Sequence, residues 1–331
     1  MSKQKKPNSQ IYNFEPIGSQ IKKDSKCHAF AFNNDNTLIF AGVKNSLEIY
    51  QFHHDSLKNL SQFTKHKEII STLNYIKRCQ SIITTSFDNS IIIWPKYLLS
   101  NQKFIQKLSQ HQNGIMCLAI TPLLEDWLIT GSHDETIKFW NQKKSSWVCQ
   151  RSIECNDSPI WSISMLESGV KCISLSSNYI MVFKFENSKW IVNQQIEHST
   201  FGFRLCFINN ETFIFQPEYQ NFFYIYNLNK NGNYVTQTPI PSDDDADPDD
   251  ELFPAIYNKN KSILLLKNMN DIQIFKVKRS QNKKAMKFNK NQVISFKDTS
   301  VYGALSDDGE YLITWDVYSK QIEVRKWMKK K

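Results

Sequence analysis

The sequence predicts an all-β chain, a seven-bladed β-propeller closed by an N-terminal strand. The first observation behind this is an internal repeat. Ile83–Trp94 reads ITTSFDNSIIIW and Ile129–Trp140 reads ITGSHDETIKFW. Thr84, Ser86, Asp88, Ile91 and Trp94 recur 46 residues later as Thr130, Ser132, Asp134, Ile137 and Trp140. A period of this size with a terminal Trp marks a radial array of small sheets. The second observation is closure. The chain stops after the third strand of its last unit, QIEVRKW, while the strand-like QIYNFEPI precedes the first unit. Gln10–Ile17 can therefore supply the missing fourth strand and lock the ring.

Weaker copies fill the rest of the chain. TLIFAGVKNSLEIY ends at Tyr50, KCISLSSNYIMVF at Phe183 and TFIFQPEYQNFFYIY at Tyr226. SILLLKNMNDIQIF ends at Phe275 and EYLITWDVYSKQIEVR at Arg325. With the two strong copies this gives blade ends near 50, 94, 140, 183, 226, 275 and 325. Within a unit, apolar runs such as IMCLAI, WLITGS and TIKFW alternate with period 2 and read as strands, with WVCQRSI as the fourth. Helical periodicity is missing. One propeller over 10–328 results, with basic tails expected at 1–9 and 329–331.

Composition bounds the function classes. Of 331 residues, 40% are hydrophobic and 13% aromatic, enough for a sizeable core and too many for wholesale disorder. The net charge of +9 suits an anionic partner but also serves solubility alone. Seven scattered cysteines form no CxxC pair, so no zinc site is expected, and reduced thiols suit the cytoplasm or nucleus. MSKQKKPNSQ lacks the apolar stretch of a signal peptide, and no run approaches a membrane span. The sequons at Asn59 and Asn210 are then not expected to be glycosylated.

Ser132, His133 and Asp134 stand side by side with the residue types of a hydrolase triad. A triad needs an exposed, strained nucleophile, and no GxSxG elbow occurs. The repeat offers another reading, because the chain resembles the WD-repeat β-propeller family. The resemblance implies a buried network of a histidine before the first strand, a hydroxyl on the second, an Asp in the following turn and a Trp on the third. In the second unit these are His66, Thr84 or Ser86, Asp88 and Trp94. In the third they are His111, Thr130 or Ser132, Asp134 and Trp140. A buried carboxylate is costly unless donors satisfy it, and imidazole, hydroxyl and indole supply them. Phe87 and His133, beside the turn aspartates, are left as contacts on a partner face.

The later units depart from this pattern. Asn156 takes the histidine's place in the fourth, and Ser177, Gln220 and Met269 the place of the Asp in successive units. Arg325 replaces the last Trp. These units are expected to rely on apolar packing by Phe203, Phe207, Phe213 and Phe215. The acidic run 241–251 fails an EF-hand, since its sixth and twelfth places from Asp243 hold Pro248 and Pro254. It reads as a solvated loop, as does the basic run 276–290, which lacks the aromatics that stack bases. No P-loop, HExxH or Rossmann fingerprint occurs, so neither catalysis nor a cofactor is expected.

TTSFDNSIIIW together with SHDETIKFWNQKKSSWVCQRSIECNDSPIWSIS resembles the WD-repeat subunit of the cytosolic iron–sulfur cluster targeting complex. The resemblance covers 65–165 and implies an adaptor that docks assembly subunits and apo-protein clients, without binding a cluster. That family's Leu-Tyr-Arg motif is replaced here by Phe139-Trp140-Asn141. The competing expectations are another WD-repeat adaptor (a ubiquitin-ligase substrate receptor, or a coat or ciliary subunit) and an RNA-binding propeller.

Overall fold

Short runs of β-branched and aromatic residues, cut by polar turns, favour strands throughout. The protein was analysed as a computed structural model, which describes residues 11–330 except 96–102, 145, 156–157, 219, 238, 242–251 and 280–285. Among the described residues there is no helix. Seven antiparallel sheets form the blades. Their innermost strands are Cys27–Phe32, Ile70–Ile76, Ile115–Ile120, Ile160–Met165, Arg204–Asn209, Ile256–Asn258 and Val301–Leu305. Residues from all seven blades' inner regions border a central channel of about 280 Å³. The outermost strands of blades 1 to 6 are Ser56–Thr64, Gln106–Leu108, Ser146–Glu154, Lys189–Glu197, Tyr234–Thr236 and Met286–Ser295.

Blade 7 takes its outer strand from the other end of the chain. Tyr12–Lys22 pairs antiparallel with Gln321–Lys329, with Tyr12 opposite Lys329 and Lys22 opposite Gln321. The register slips between Ile17 and Ile21. Gly18 sits there with φ 64°, and a Cβ on it would collide with the Asp55 carbonyl. The closing strand is thus longer than Gln10–Ile17, and Gln10 and the 1–9 tail lie outside the described residues. The expected 329–331 tail needs correction. Lys329 is paired in the sheet and the Lys330 N–H donates to the Ile11 carbonyl, because the closing strand gives both a partner. Lys331 lies outside the described residues.

The basic run 276–290 is also corrected. Asp271–Arg279 pairs with Met286–Ser295, so most of it is hairpin, with 280–285 outside the described residues. Phe275 and Val277 are buried while Lys276 and Lys278 face the other way, a period-2 pattern that the density of lysines obscures. Of the acidic run, Pro241 ends a short strand against Phe222–Phe223, and 242–251 lies outside the described residues.

The core is divided among the blade interfaces. Seven apolar clusters each join two neighbouring blades, as when Ile83, Ile93, Ile115, Leu128 and Trp140 join blades 2 and 3. Around the rim a second device recurs. The Gln106 amide accepts from the Trp147 N–H at 2.8 Å and donates to its carbonyl at 2.9 Å. Gln194 grips Tyr234 in the same way, and Gln292 grips Phe14. Each glutamine lies on one blade's outer strand and holds an aromatic residue on the next. The held rings are buried, and the glutamine satisfies backbone groups that the edge strand leaves unpaired.

Candidate functional site

The two strong repeats fold into one polar relay each. In blade 3 the Trp140 indole N–H donates to Thr130 Oγ1 at 2.9 Å, and Thr130 Oγ1 lies 2.8 Å from His111 Nε2. His111 Nδ1 lies 2.7 Å from Asp134 Oδ2. The donors fix the direction. The indole can only donate and an ionised Asp134 can only accept, so His111 carries its proton on Nδ1 and Thr130 donates to Nε2. Blade 2 repeats this through Trp94, Thr84, His66 and Asp88, with 2.9 Å from indole to hydroxyl and 2.8 Å from hydroxyl to imidazole.

Each aspartate gathers further donors. Asp134 accepts from the N–H groups of Gln112 and Thr136 and from the Thr136 hydroxyl. Asp88 accepts from the N–H groups of Lys67 and Ser90 and from the Ser90 hydroxyl. Burial pushes both carboxyls up, but the imidazole, hydroxyl and backbone donors more than offset it, and both sit well below the usual carboxylate range. Burial lowers the His111 pKa, and Asp134 opposes this only in part. A neutral imidazole agrees with the direction of the relay.

The sequence left the second-strand hydroxyl open, and the structure separates the two candidates. Thr84 and Thr130 occupy the relay; Ser86 and Ser132, also named for it, do not. Ser132 Oγ donates toward the Asn113 and Gly114 carbonyls, at 2.9 Å each, and accepts from the Asp134 N–H at 3.0 Å. Ser86 holds the Asp88 turn against the Glu68 carbonyl in the same way. Two residues along a strand point to the same side, so threonine and serine looked equivalent in sequence. The buried Ser132 is occupied in a turn, which gives it no nucleophile's geometry.

Phe87 and His133 follow these serines, and both are half-buried. Their rings approach to 6.3 Å across the interface of blades 2 and 3. Gly114 makes room, since a Cβ there would meet the Phe87 ring at 2.9 Å. His133 meets Trp161 of blade 4 edge-on at 5.2 Å, and Trp161 meets Phe201 and Phe203 at 5.5 and 5.1 Å. Five rings from four blades form a row on the face of the turns that hold Asp88 and Asp134. Trp161 and Phe203 also border the central channel. Burial lowers the His133 pKa, so it joins the row as a neutral ring. Sequence reading missed Trp161, Phe201 and Phe203 as members. For Trp161 the available signal was an aromatic right after the Ile that opens an inner strand, Ile160-Trp161; Phe201 and Phe203 precede the strand that opens at Arg204 and carried no such signal.

Blades 1 and 7 build other polar contacts in the relay's place, and blade 5 packs aromatic rings there. In blade 7, Arg325 Nη1 donates to Thr314 Oγ1 at 2.7 Å, the indole's task, while Glu323 pairs with the guanidinium. Apolar packing was expected there, so this is a correction; the guanidinium is itself a donor. In blade 1 the buried Glu48 accepts from Lys23 Nζ, Tyr50 Oη and Asn59 Nδ2. In blade 4 the Ser177 N–H donates to Ser158 Oγ at 2.8 Å, and Asn156 lies outside the described residues. In blade 5, Phe213 stacks on Tyr226 at 4.7 Å, and Phe207 and Phe215 join the same core. Gln220 and Met269 stay in their second turns, Met269 with φ 52°.

Among the described residues, no group of three or more His, Cys, Asp or Glu is placed to hold a metal ion. No helix among them is long and apolar enough to cross a membrane. The ring, the relays and the repeats define a seven-bladed β-propeller of WD-repeat type. The family model "WD domain, G-beta repeat" matches residues 57–95 and 102–141, which with the seven blades supports membership of the WD-repeat family. The chain is similar to the U3 small nucleolar RNA-associated protein 15 homolog of Xenopus tropicalis, 23% identical over 190 residues, covering 57% of this chain and 36% of that protein. It is also similar to the transcriptional corepressor LEUNIG_HOMOLOG of Arabidopsis thaliana, 23% identical over 206 residues, covering 61% of this chain and 25% of that protein. Human striatin is 37% identical over 78 residues, covering 24% and 10%. The chain thus spans about a third or less of the length of these relatives.

Proposed function

We propose that the chain is a non-catalytic scaffold whose protein partners dock on the aromatic face of blades 2 to 5. The half-buried row from Phe87 through His133 and Trp161 to Phe201, backed by the buried Phe203, carries this reading. Stiff rings held by their neighbours offer apolar contact at little entropic cost, and aromatic anchors dominate protein interfaces. WD-repeat propellers generally serve as binding platforms, and the turn-bound Ser132 speaks against hydrolysis. The expected compartment is the cytoplasm or nucleus.

The resemblance to the iron–sulfur targeting subunit suggests one set of partners, assembly subunits and apo-protein clients. The relatives above carry other descriptions, and Phe139 and Trp140, which replace that family's motif, are buried and unfit for recruitment. Similarity to U3 small nucleolar RNA-associated proteins favours a second reading, a protein-contacting subunit of a ribonucleoprotein particle.

Affinity purification of the full chain and a Phe87→Ala/Trp161→Ala variant, compared by quantitative mass spectrometry, tests the scaffold. Partners lost from a variant that still unfolds cooperatively support it; an unchanged partner set overturns it. Iron–sulfur assembly factors in the lost set select the first reading, and U3 particle proteins the second. Salt-sensitive RNA binding by the purified protein would bring back the nucleic-acid alternative.

A further inference from the structure

The opposite face carries a second apolar patch, separate from the aromatic row. The turn from Thr121 to Trp127 joins the first two strands of blade 3, whereas His133 lies in the turn at the far end of the second strand. Trp127–Ser132 separates them, roughly 20 Å at the rise of a strand. At this turn Leu123 is 73% exposed and Leu124 64%. Val170, in the corresponding turn of blade 4, is 44% exposed. The two turns touch, since a Cβ on Gly169 would lie 3.6 Å from Thr121 and 3.8 Å from Pro122.

The leucines are held outward by a built loop. The Glu125 N–H donates to the Thr121 carbonyl at 3.0 Å, and the Trp127 N–H donates to Thr121 Oγ1 at 3.1 Å. The buried Glu125 side chain turns the other way and accepts the N–H groups of Lys77 and Arg78, at 3.0 and 2.6 Å, from blade 2. One carboxylate thus ties two blades together and fixes the backbone that displays Leu123 and Leu124. Preorganised apolar side chains lose little freedom on binding.

The surrounding charge selects a partner. Of the acids near the patch, Glu167 is ion-paired with Lys259 Nζ at 2.8 Å and the buried Glu125 is turned to the blade 2 backbone, which leaves Asp126, half-buried and accepting from the Thr121 hydroxyl. The bases differ. Arg78 donates to the neutral Gln142 amide and Lys143 to the neutral Gln150 amide, and Lys144 is exposed beside them. The Asp126 carbonyl caps Gln142, which brings this basic hairpin to the patch. The rim therefore offers positive charge around apolar contact.

We propose that Leu123, Leu124 and Val170 form a docking surface for a partner protein segment whose apolar side chains are flanked by carboxylates. The site goes beyond the aromatic face and is independent of it. The probe is a short fluorescein-labelled peptide with paired leucines between glutamates, read by fluorescence anisotropy on the full chain. Matched peptides carry lysine for glutamate, or alanine for leucine. The glutamate–leucine peptide is expected to bind, and added salt to weaken it. Leu123→Asp/Leu124→Asp is expected to weaken it about tenfold or more, and Arg78→Glu/Lys144→Glu similarly. Both pairs are exposed, so the melting temperature should hold. Phe87→Ala/Trp161→Ala should bind as the unaltered protein does. No binding, equal binding of the lysine peptide, or loss only in the aromatic-face variant would each overturn the proposal. So would self-association, seen by sedimentation and abolished by the leucine changes, because the occupant would then be a second copy.

Discussion

Blades 3 and 4 are neighbours with the same four-strand plan, yet they are held differently inside. Blade 3 runs a relay from Trp140 through Thr130 and His111 to Asp134, and each polar atom of the relay meets a partner. Blade 4 has Ser177 where the aspartate would stand and fills its core with Phe183 and Trp190, whose ring stacks on Phe139 of blade 3. Blade 7 lies between these solutions, with a guanidinium donating to the second-strand threonine. The ring needs a filled interface between blades, and the relay is one way to fill it. It adds direction and a fixed turn at the aspartate, and that turn is what carries Phe87 and His133 to the aromatic face.

The largest effect should come from emptying the relay's apolar end. Trp140→Ala removes a fully buried ring from the interface of blades 2 and 3 and should cost about 3–5 kcal/mol in urea denaturation. A loss under about 1 kcal/mol would mean that blade 3 depends on its relay less than the geometry implies.

The rim should follow. Gln106→Ala frees the N–H and carbonyl of the buried Trp147 and should cost about 1–3 kcal/mol. Gln194→Ala should behave alike at Tyr234, although blades 4 and 5 lack the relay. A loss confined to one site would show that the clasps are not equivalent.

Acid should separate blades 2 and 3 from the rest. The folded His111 resists protonation, whereas the unfolded one takes a proton near pH 6.5, so stability falls as pH drops below that value. Asp88 and Asp134 have depressed folded pKa values, so their contribution is full above about pH 3.8 and is lost as pH falls toward those values. Hydrogen exchange across this range should show blades 2 and 3 losing protection before blade 4. The smallest stability effect belongs to the aromatic face. His133→Ala should change stability by about 0.5 kcal/mol or less while weakening partner capture.

The contrast between blades also explains what the sequence made legible. The repeat was readable where the relay imposes particular residue types at fixed spacing, at Thr84, Asp88, Trp94 and their counterparts. Seven units followed from weaker copies of the repeat, whose apolar alternation blades 4 to 6 retain, and the closing strand from a last unit one strand short with a strand-like stretch before the first. Three features were hidden. Thr130 and Ser132 share a strand face, so only coordinates could divide their roles. Arg325 does a tryptophan's work through donor chemistry, which residue class disguises. Trp161, Phe201 and Phe203 lie far from His133 in sequence and meet it only once blades 3, 4 and 5 pack side by side. The rim glutamines had no signal at all, because their partners are backbone atoms.

The central claim is that Asp134 is a structural anchor, distinct from the aromatic row proposed to bind partners beside it. Urea denaturation of Asp134→Ala next to Ser177→Ala, its counterpart in blade 4, tests this most directly. The relay predicts a loss of roughly 1–3 kcal/mol for Asp134→Ala and under about 0.5 kcal/mol for Ser177→Ala. An unchanged midpoint for Asp134→Ala, together with lost partner binding, would contradict it and make the aspartate part of the binding surface.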